Sequence, residues 1–364
     1  MPDYRTIRSL GVEAPGRPYF FCYEEGPLAE GQVRLDALYS GFSAGTELTF
    51  LKDTNPYLRS RWDGERGVFV DGEPSVRFPV PFLGYMEVAR VADSRADSFV
   101  AADVVAASYG HKSGHTADPF QELVVGMPNG IHPILGIFVA QMGPIAANGI
   151  LHADAETFGP EVRRLGESLT DRPIVVFGGG TVGLLTALFA QAAGAEIVLA
   201  EPSAWRRDKA EALGLTAMTE AHAWQHAKAR WHHGGQDRGA DFAFQTRARS
   251  ESLHDALRAL RPQGTVIDLA FYQGAADRTR LGEEFHHNGL SLRCAQVGRV
   301  PRELAHRWDR RRLSAETLVL LERYGQAICR EMITQIVPVD DAPSFLSHLV
   351  SERPEFLQIV FSFE

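Results

Sequence analysis

The sequence predicts an α/β protein in which a β-rich first half is followed by a doubly wound parallel sheet. Three features point to it. Short strands broken by Gly and Pro run through the first 150 residues. From about 150 apolar strands alternate with helical runs, and a glycine-rich turn joins the first of those strands to its helix. At 364 residues the chain is long enough for two hydrophobic cores. Its 45% hydrophobic and 23% charged residues are the composition of an ordinary folded protein.

In chain order, strands are expected at 31–39, 79–92, 103–108 and 120–125, set apart by turn clusters in a compact, barrel-like β domain. The stretch 52–78, rich in Arg, Asp and Gly, reads as a long surface loop or lid. Strands at 173–177 and 196–200 then alternate with helices at 182–193 and 203–213, which implies parallel neighbours. Further strands are expected at 241–244, 264–269 and 290–293, with a helix at 251–260 between the first two. A basic stretch, a helix at 314–325 and a final run at 356–363 close the chain. There is no internal repeat and no low-complexity segment.

Composition removes several classes of function. The opening Met1-Pro2-Asp3-Tyr4-Arg5 has no basic stretch leading into an apolar one, which argues against a secretory signal. The most apolar region, 173–200, is interrupted by Gly178, Gly179, Gly180, Gly183 and Gly194. A membrane helix needs about 20 apolar residues in a row, so this region reads as a buried strand–turn–helix–strand. A formal charge of −9 disfavours neutralising the phosphates of a nucleic acid. Cys22, Cys294 and Cys329 are too few and too far apart for a disulfide framework or a thiolate metal site. The expectation is a cytoplasmic protein with a small-molecule partner, and neither a nucleic acid nor a membrane.

The strongest motif is Pro173-Ile174-Val175-Val176-Phe177-Gly178-Gly179-Gly180-Thr181-Val182-Gly183. Gly178, Gly180 and Gly183 fill a G-x-G-x-x-G template between an apolar strand and a helix. Gly178 permits the tight turn, and Gly180 lets backbone approach a pyrophosphate. Gly183 allows close packing, and the N–H groups at Thr181 and Val182 open the helix toward an anion. Glu201 ends the next strand, 21 positions after Gly180, where a carboxylate can accept both ribose hydroxyls of NAD. This is a Rossmann dinucleotide site. NAD is favoured, and Arg206 with Arg207 leaves NADP open.

The order of the two halves, "VVFGGGTVGLLTALFAQAAGAEIVLAE", "KAEALGL" and the closing "ITQIVPVDDAPSFLSHLV" together resemble the medium-chain dehydrogenase/reductase superfamily over nearly the whole chain. The resemblance implies a GroES-like catalytic domain at 1–152, a Rossmann domain at 153–299 and a return to the catalytic domain at 300–364. Homodimers or homotetramers are common in that superfamily. Zinc-dependent members carry Gly-x-Cys and Gly-His-Glu motifs. Here the first reads Gly41-Phe42-Ser43, with Ser43 at the cysteine, and the second reads Gly84-Tyr85-Met86. The third ligand is expected within 138–143, which holds neither Cys nor His, and the structural-zinc cysteines are absent from 90–130. Zinc wants thiolate, imidazole or carboxylate ligands, so the chain resembles a zinc-lacking member. "SGFSAGTEL" and Gly84-Tyr85 look most like the bacteriochlorophyllide hydroxyethyl dehydrogenase-like, mostly bacterial, branch.

Without a metal, hydride transfer needs a proton donor or hydrogen-bond donors at the substrate oxygen. Tyr85 can serve if its pKa is lowered, or can be a packed tyrosine with a satisfied hydroxyl. Ser43 and Thr46 can relay a proton or simply hold a turn. Glu47 and Glu87 are the nearby carboxylates, more readily structural than catalytic. His111 and His115, on a glycine-flanked loop, are further candidate acids. The implied activity interconverts a secondary alcohol and a ketone on a small, secondary-metabolite or sugar-like substrate. Its rivals are an NADPH-dependent enone or quinone reductase and a non-catalytic nucleotide-binding protein.

Overall fold

The computed structural model describes residues 4–352 and 354–364. The chain divides into two compact units. One runs to Ala140 and resumes at Ile333–Glu364, and the other is Gln141–Met332. The breaks therefore fall at 140 and 333 rather than at 152 and 300. The helices Met142–Phe158 and Arg310–Met332 pack on each other and on the helix Thr181–Ala192, which assigns both to the second unit.

The first unit opens with an antiparallel hairpin, β1 (Arg5–Ala14) and β2 (Arg17–Glu25), that sequence reading misses. Four consecutive residues of β1, Ser9 to Val12, are buried, so no alternation marks it as a strand. A short helix α1 (Glu47–Leu51) follows the long strand β3 (Val33–Phe42). The expected loop 52–78 instead holds a helical turn at Pro56–Leu58 and a hairpin, β4 (Ser60–Asp63) with β5 (Val68–Asp71). The strand expected at 79–92 begins only at Glu87, because Pro79 and Pro81 cannot donate to a ladder.

A seven-stranded sheet forms the body of this unit. It contains β3, β6 (Glu87–Ser94), β7 (Val104–Ala107), β8 (Gly114–Ala117), β9 (Val124–Gly126) and the C-terminal strands Ile333–Pro338 and Gln358–Ser362. β3 is its centre. Residues 33–36 pair with β8, residues 39–42 with the last strand, and the opposite edge with β6. Two apolar clusters back it, one around Val33, Leu35, Val91 and Val105, the other around Phe42, Leu51, Leu83 and Phe361.

The second unit begins with α2 (Met142–Phe158) and continues as β10 (Pro173–Phe177), α3 (Thr181–Ala192), β11 (Glu196–Ala200), α4 (Ala204–Ala212), β12 (Ala217–Met218) and α5 (Glu220–Arg230). After a small hairpin, β13 (His232–Gly234) and β14 (Asp237–Arg238), come β15 (Ala240–Gln245), α6 (Ser250–Ala259), β16 (Leu260–Asp268), β17 (Ser291–Cys294) and α7 (Arg310–Met332). Six parallel strands lie in the order β12-β11-β10-β15-β16-β17, reversing direction of winding beside β10. This is the doubly wound order, whose ligands bind at the carboxyl ends beside the reversal. All five residues of β10 are buried, as a strand covered by helices on both faces must be. The helix expected at 314–325 spans the 23 residues of α7. No helix among the described residues is long and apolar enough to cross a membrane.

Candidate active site

In the first unit β3 ends at Phe42 and the chain turns directly into α1. The Ser43 carbonyl accepts the N–H groups of Thr46 and Glu47, at 3.2 and 2.8 Å, which closes that turn. The Glu47 carboxylate folds back and its Oε1 accepts the Ser43 N–H at 2.7 Å. Tyr85 arrives from the segment before β6. Its hydroxyl donates to Ser43 Oγ and lies 3.1 Å from Thr46 Oγ1. Three hydroxyls singled out in the sequence therefore meet at one point.

Behind them lies a buried polar line. His111 Nε2 meets Glu47 Oε2 at 2.7 Å, and His111 Nδ1 shares a hydrogen bond with Ser40 Oγ. Ser40 stands opposite Glu87 in the β3–β6 register. His111 is not on a solvated loop: it is 1% exposed, Glu47 is 2% exposed, and Ser40 and Glu87 are fully buried. The backbone of His111 is clamped between Leu10 and Leu83, accepting the N–H of the first at 2.9 Å and donating to the second at 2.7 Å. The rings of Phe42 and Phe361 cover its imidazole.

Electrostatics follow from this burial. The Tyr85 phenol is pushed up to about 12, first by desolvation and then by the Glu47 carboxylate, against the opposing bonds to Ser43 and Thr46. The lowered value expected of a proton-donating phenol is thus replaced by a raised one, and Tyr85 keeps its proton throughout the neutral range. Neither oxygen of Glu87 has a hydrogen-bond partner among the described residues. Burial, with Glu47 adding to it, holds that carboxyl well above the usual range, against the pull of Ser40 and Lys112.

Other sequence candidates go elsewhere. His115 lies in β8, 2.8 Å from Glu122 Oε2 and against the Tyr109 ring, so it is not part of the hydroxyl cluster. Gln141, in the stretch searched for a third ligand, accepts a hydrogen bond from Arg310 in the second unit. Among the described residues the group whose His, Cys, Asp or Glu atoms come within metal-binding range is His254, Glu283 and Glu284, near α6 in the second unit. Sequence reasoning passed over Ser40, whose one signal is its inward place on β3.

The second unit holds the glycine loop. Gly178 has φ +106°, a conformation that favours glycine. A Cβ on Gly183 would stand 1.8 Å from the Gly178 carbonyl oxygen, so helix and turn approach more closely than any side chain allows. Gly180 caps α3, and a Cβ there would meet only the Arg206 guanidinium, at 3.8 Å. The backbone N–H groups at Thr181 and Val182 open the helix, as a pyrophosphate site requires. Thr246, which no sequence signal marked, pins the turn by donating to the Phe177 carbonyl at 2.8 Å. Glu201 is buried. It accepts the Gly179 N–H at 2.7 Å and the Ser203 N–H at 2.9 Å, so its carboxylate braces the loop as well as ending β11. Arg207 donates to the carbonyls of Glu201 and Pro202.

The chain is similar to known proteins in sequence and in fold. A family model described as zinc-binding dehydrogenase matches residues 181–309. The chain is 25% identical over 358 residues to a D-guloside 3-dehydrogenase of Escherichia coli, covering 96% of this chain and 97% of that one. In fold it is similar to L-idonate 5-dehydrogenase of Escherichia coli, with a TM-score of 0.73, 13% identity, and coverage of 100% and 99%. It is also similar to a Sinorhizobium meliloti protein whose crystal structure holds NADP, with a TM-score of 0.68, 16% identity, and coverage of 98% and 99%.

Gly84 tests the buried half of the cluster. Its φ is +89°, and a Cβ there would lie 2.8 Å from three atoms of the His111 ring. Gly84→Ala is expected to destabilise the protein by about 1–3 kcal/mol, read as a lower midpoint of chemical denaturation.

Proposed function

We propose that the chain is an NAD(P)-dependent oxidoreductase of the medium-chain dehydrogenase/reductase superfamily, interconverting a secondary alcohol and a ketone on a sugar- or polyol-like substrate. The end-to-end similarity to a D-guloside 3-dehydrogenase supports the substrate class. The hydroxyl cluster of Ser43, Thr46 and Tyr85 is the observation that carries the chemistry. A bound nicotinamide supplies or accepts the hydride. Glu201, Gly178, Gly180, Gly183 and the N-terminus of α3 fit the dinucleotide, since each offers either a bare backbone approach or a polar anchor.

Tyr85 holds the proton at its Oη. In the reductive direction it donates to the carbonyl oxygen, and the hydroxyls of Ser43 and Thr46 orient it and share its charge. In the oxidative direction Tyr85 takes up the alcohol proton only after its own proton has passed through the hydroxyls to solvent water. The proposed reaction runs without catalytic zinc, because the donors at this place do not suit the ion. Three are neutral hydroxyls, both oxygens of the Glu47 carboxylate are engaged by Ser43 and His111, and both His111 ring nitrogens are engaged by Glu47 and Ser40. His115, bonded to Glu122, takes no part.

A panel of glycosides and polyols, assayed with purified protein and each cofactor, tests the reading. Tyr85→Phe is expected to lower kcat by roughly a hundredfold or more with little change in KM; an unchanged kcat removes Tyr85 as the donor. Glu201→Ala is expected to weaken NAD far more than NADP by fluorescence titration, and equal loss for both would overturn the NAD preference. Elemental analysis is expected to find well below stoichiometric zinc, with turnover insensitive to a chelator. One tightly bound zinc per chain, lost together with activity, would reverse the assignment.

A further inference from the structure

We infer that Glu47 and His111 form a buried positioning pair that fixes a single negative charge beside Tyr85, keeping the phenol a proton donor and the Ser43 turn in place. The inference rests on the proposed role of Tyr85 and assigns the groups behind it.

The geometry carries it. Glu47 has one oxygen on the Ser43 N–H at 2.7 Å and the other on His111 Nε2 at 2.7 Å, so its carboxylate cannot turn without breaking one of them. His111 is itself held at four points: Nδ1 by Ser40, Nε2 by Glu47, and its backbone by Leu10 and Leu83. The groups facing this pair from neighbouring elements are Ser40 on β3, Glu87 on β6, Lys112 next to His111, and Tyr85 itself. Phe42 and Phe361 close the remaining sides. Glu87 is fully buried, and that desolvation outweighs the pull of Ser40 and Lys112, a setting that favours its neutral acid. Glu47 is then the carboxylate whose charge reaches the phenol. Gly84 completes the device, because any Cβ there would push the imidazole aside.

The readout that a merely structural role would not move is the ionisation of Tyr85 itself. Difluorotyrosine placed at position 85, whose phenol ionises nearer neutrality, is titrated by fluorine NMR without any substrate. In the Glu47→Gln background its pKa is expected to fall by about one pH unit or more, since the like charge is gone while burial remains. His111→Gln, whose amide still donates to Glu47, is expected to keep the wild-type titration. His111→Leu removes the imidazole that fixes one carboxylate oxygen, so Glu47 can turn away from the phenol, and it is expected to move the titration in the same direction as Glu47→Gln; it carries the test should Glu47→Gln not fold. In turnover, the alkaline limb of the kcat profile is expected to move with the titration and to be absent in Tyr85→Phe. An unchanged titration in both Glu47→Gln and His111→Leu overturns the inference. A shifted titration in a protein that turns over no alcohol or ketone leaves the pair standing and fails the oxidoreductase reading instead.

Discussion

The first unit depends on the satisfaction of one buried carboxylate. Glu47 is 2% exposed, and removing such a group from water costs several kcal/mol unless partners replace its hydration. Those partners come from the turn after β3 and from residue 111, far apart in sequence. Meeting the demand of Glu47 therefore ties α1 to the segment before β8. The same demand explains the bare backbone at Gly84 and the clamp on His111 by Leu10 and Leu83, since the imidazole must sit where the carboxylate needs it. Tyr85 follows, because the chain that passes Gly84 delivers its hydroxyl to Ser43 one residue later.

In the second unit the governing constraint is an absence of side chains. The 1.8 Å between the Gly178 oxygen and the place of a Cβ on Gly183 leaves helix and turn no alternative to glycine. Close approach brings the first turn of α3 against the glycine loop with no capping side chain, and a helix N-terminus is where an anion gains from the helix dipole. Glu201 bridges Gly179 and Ser203, so the carboxylate that would recognise ribose is already oriented by the loop that would hold the pyrophosphate. Preorganisation of this kind reduces the ordering that binding must otherwise supply.

Much of this was legible in the sequence, and unevenly so. The parallel sheet was, because fully buried strands such as Pro173–Phe177 read as unbroken apolar runs and glycines mark the turn between them. Hydroxyls at 43, 46 and 85 were legible as candidates, since each stands in a recognisable motif. Their backing was not. His111 sits among glycine, lysine and serine, a local pattern that reads as solvated loop, and only long-range contacts with Leu10, Leu83 and Glu47 bury it. The hairpin β1–β2 escaped for a related reason: its central residues are covered on both faces, which erases the period of two. The limits of the two compact units, at 140 and 333, were not legible, because helices at 142–158 and 310–332 pack with the helix 181–192 without any change of composition to announce it.

Charge explains why these features belong together. A metal ion at the substrate oxygen would act through positive charge, and would compete with His111 and the Ser43 N–H for the oxygens of Glu47. A carboxylate fixed beside a phenol acts in the opposite sense: it opposes any further negative charge nearby and leaves the phenol protonated. On the proposed reading the protonated phenol first donates a hydrogen bond to the developing oxyanion, and the Ser43 and Thr46 hydroxyls share the charge left on it once the proton transfers. On this reading Ser43 in place of a thiolate, Tyr85 in place of an imidazole and Glu47 anchored at both oxygens are one electrostatic solution. Each of the three makes sense of the other two.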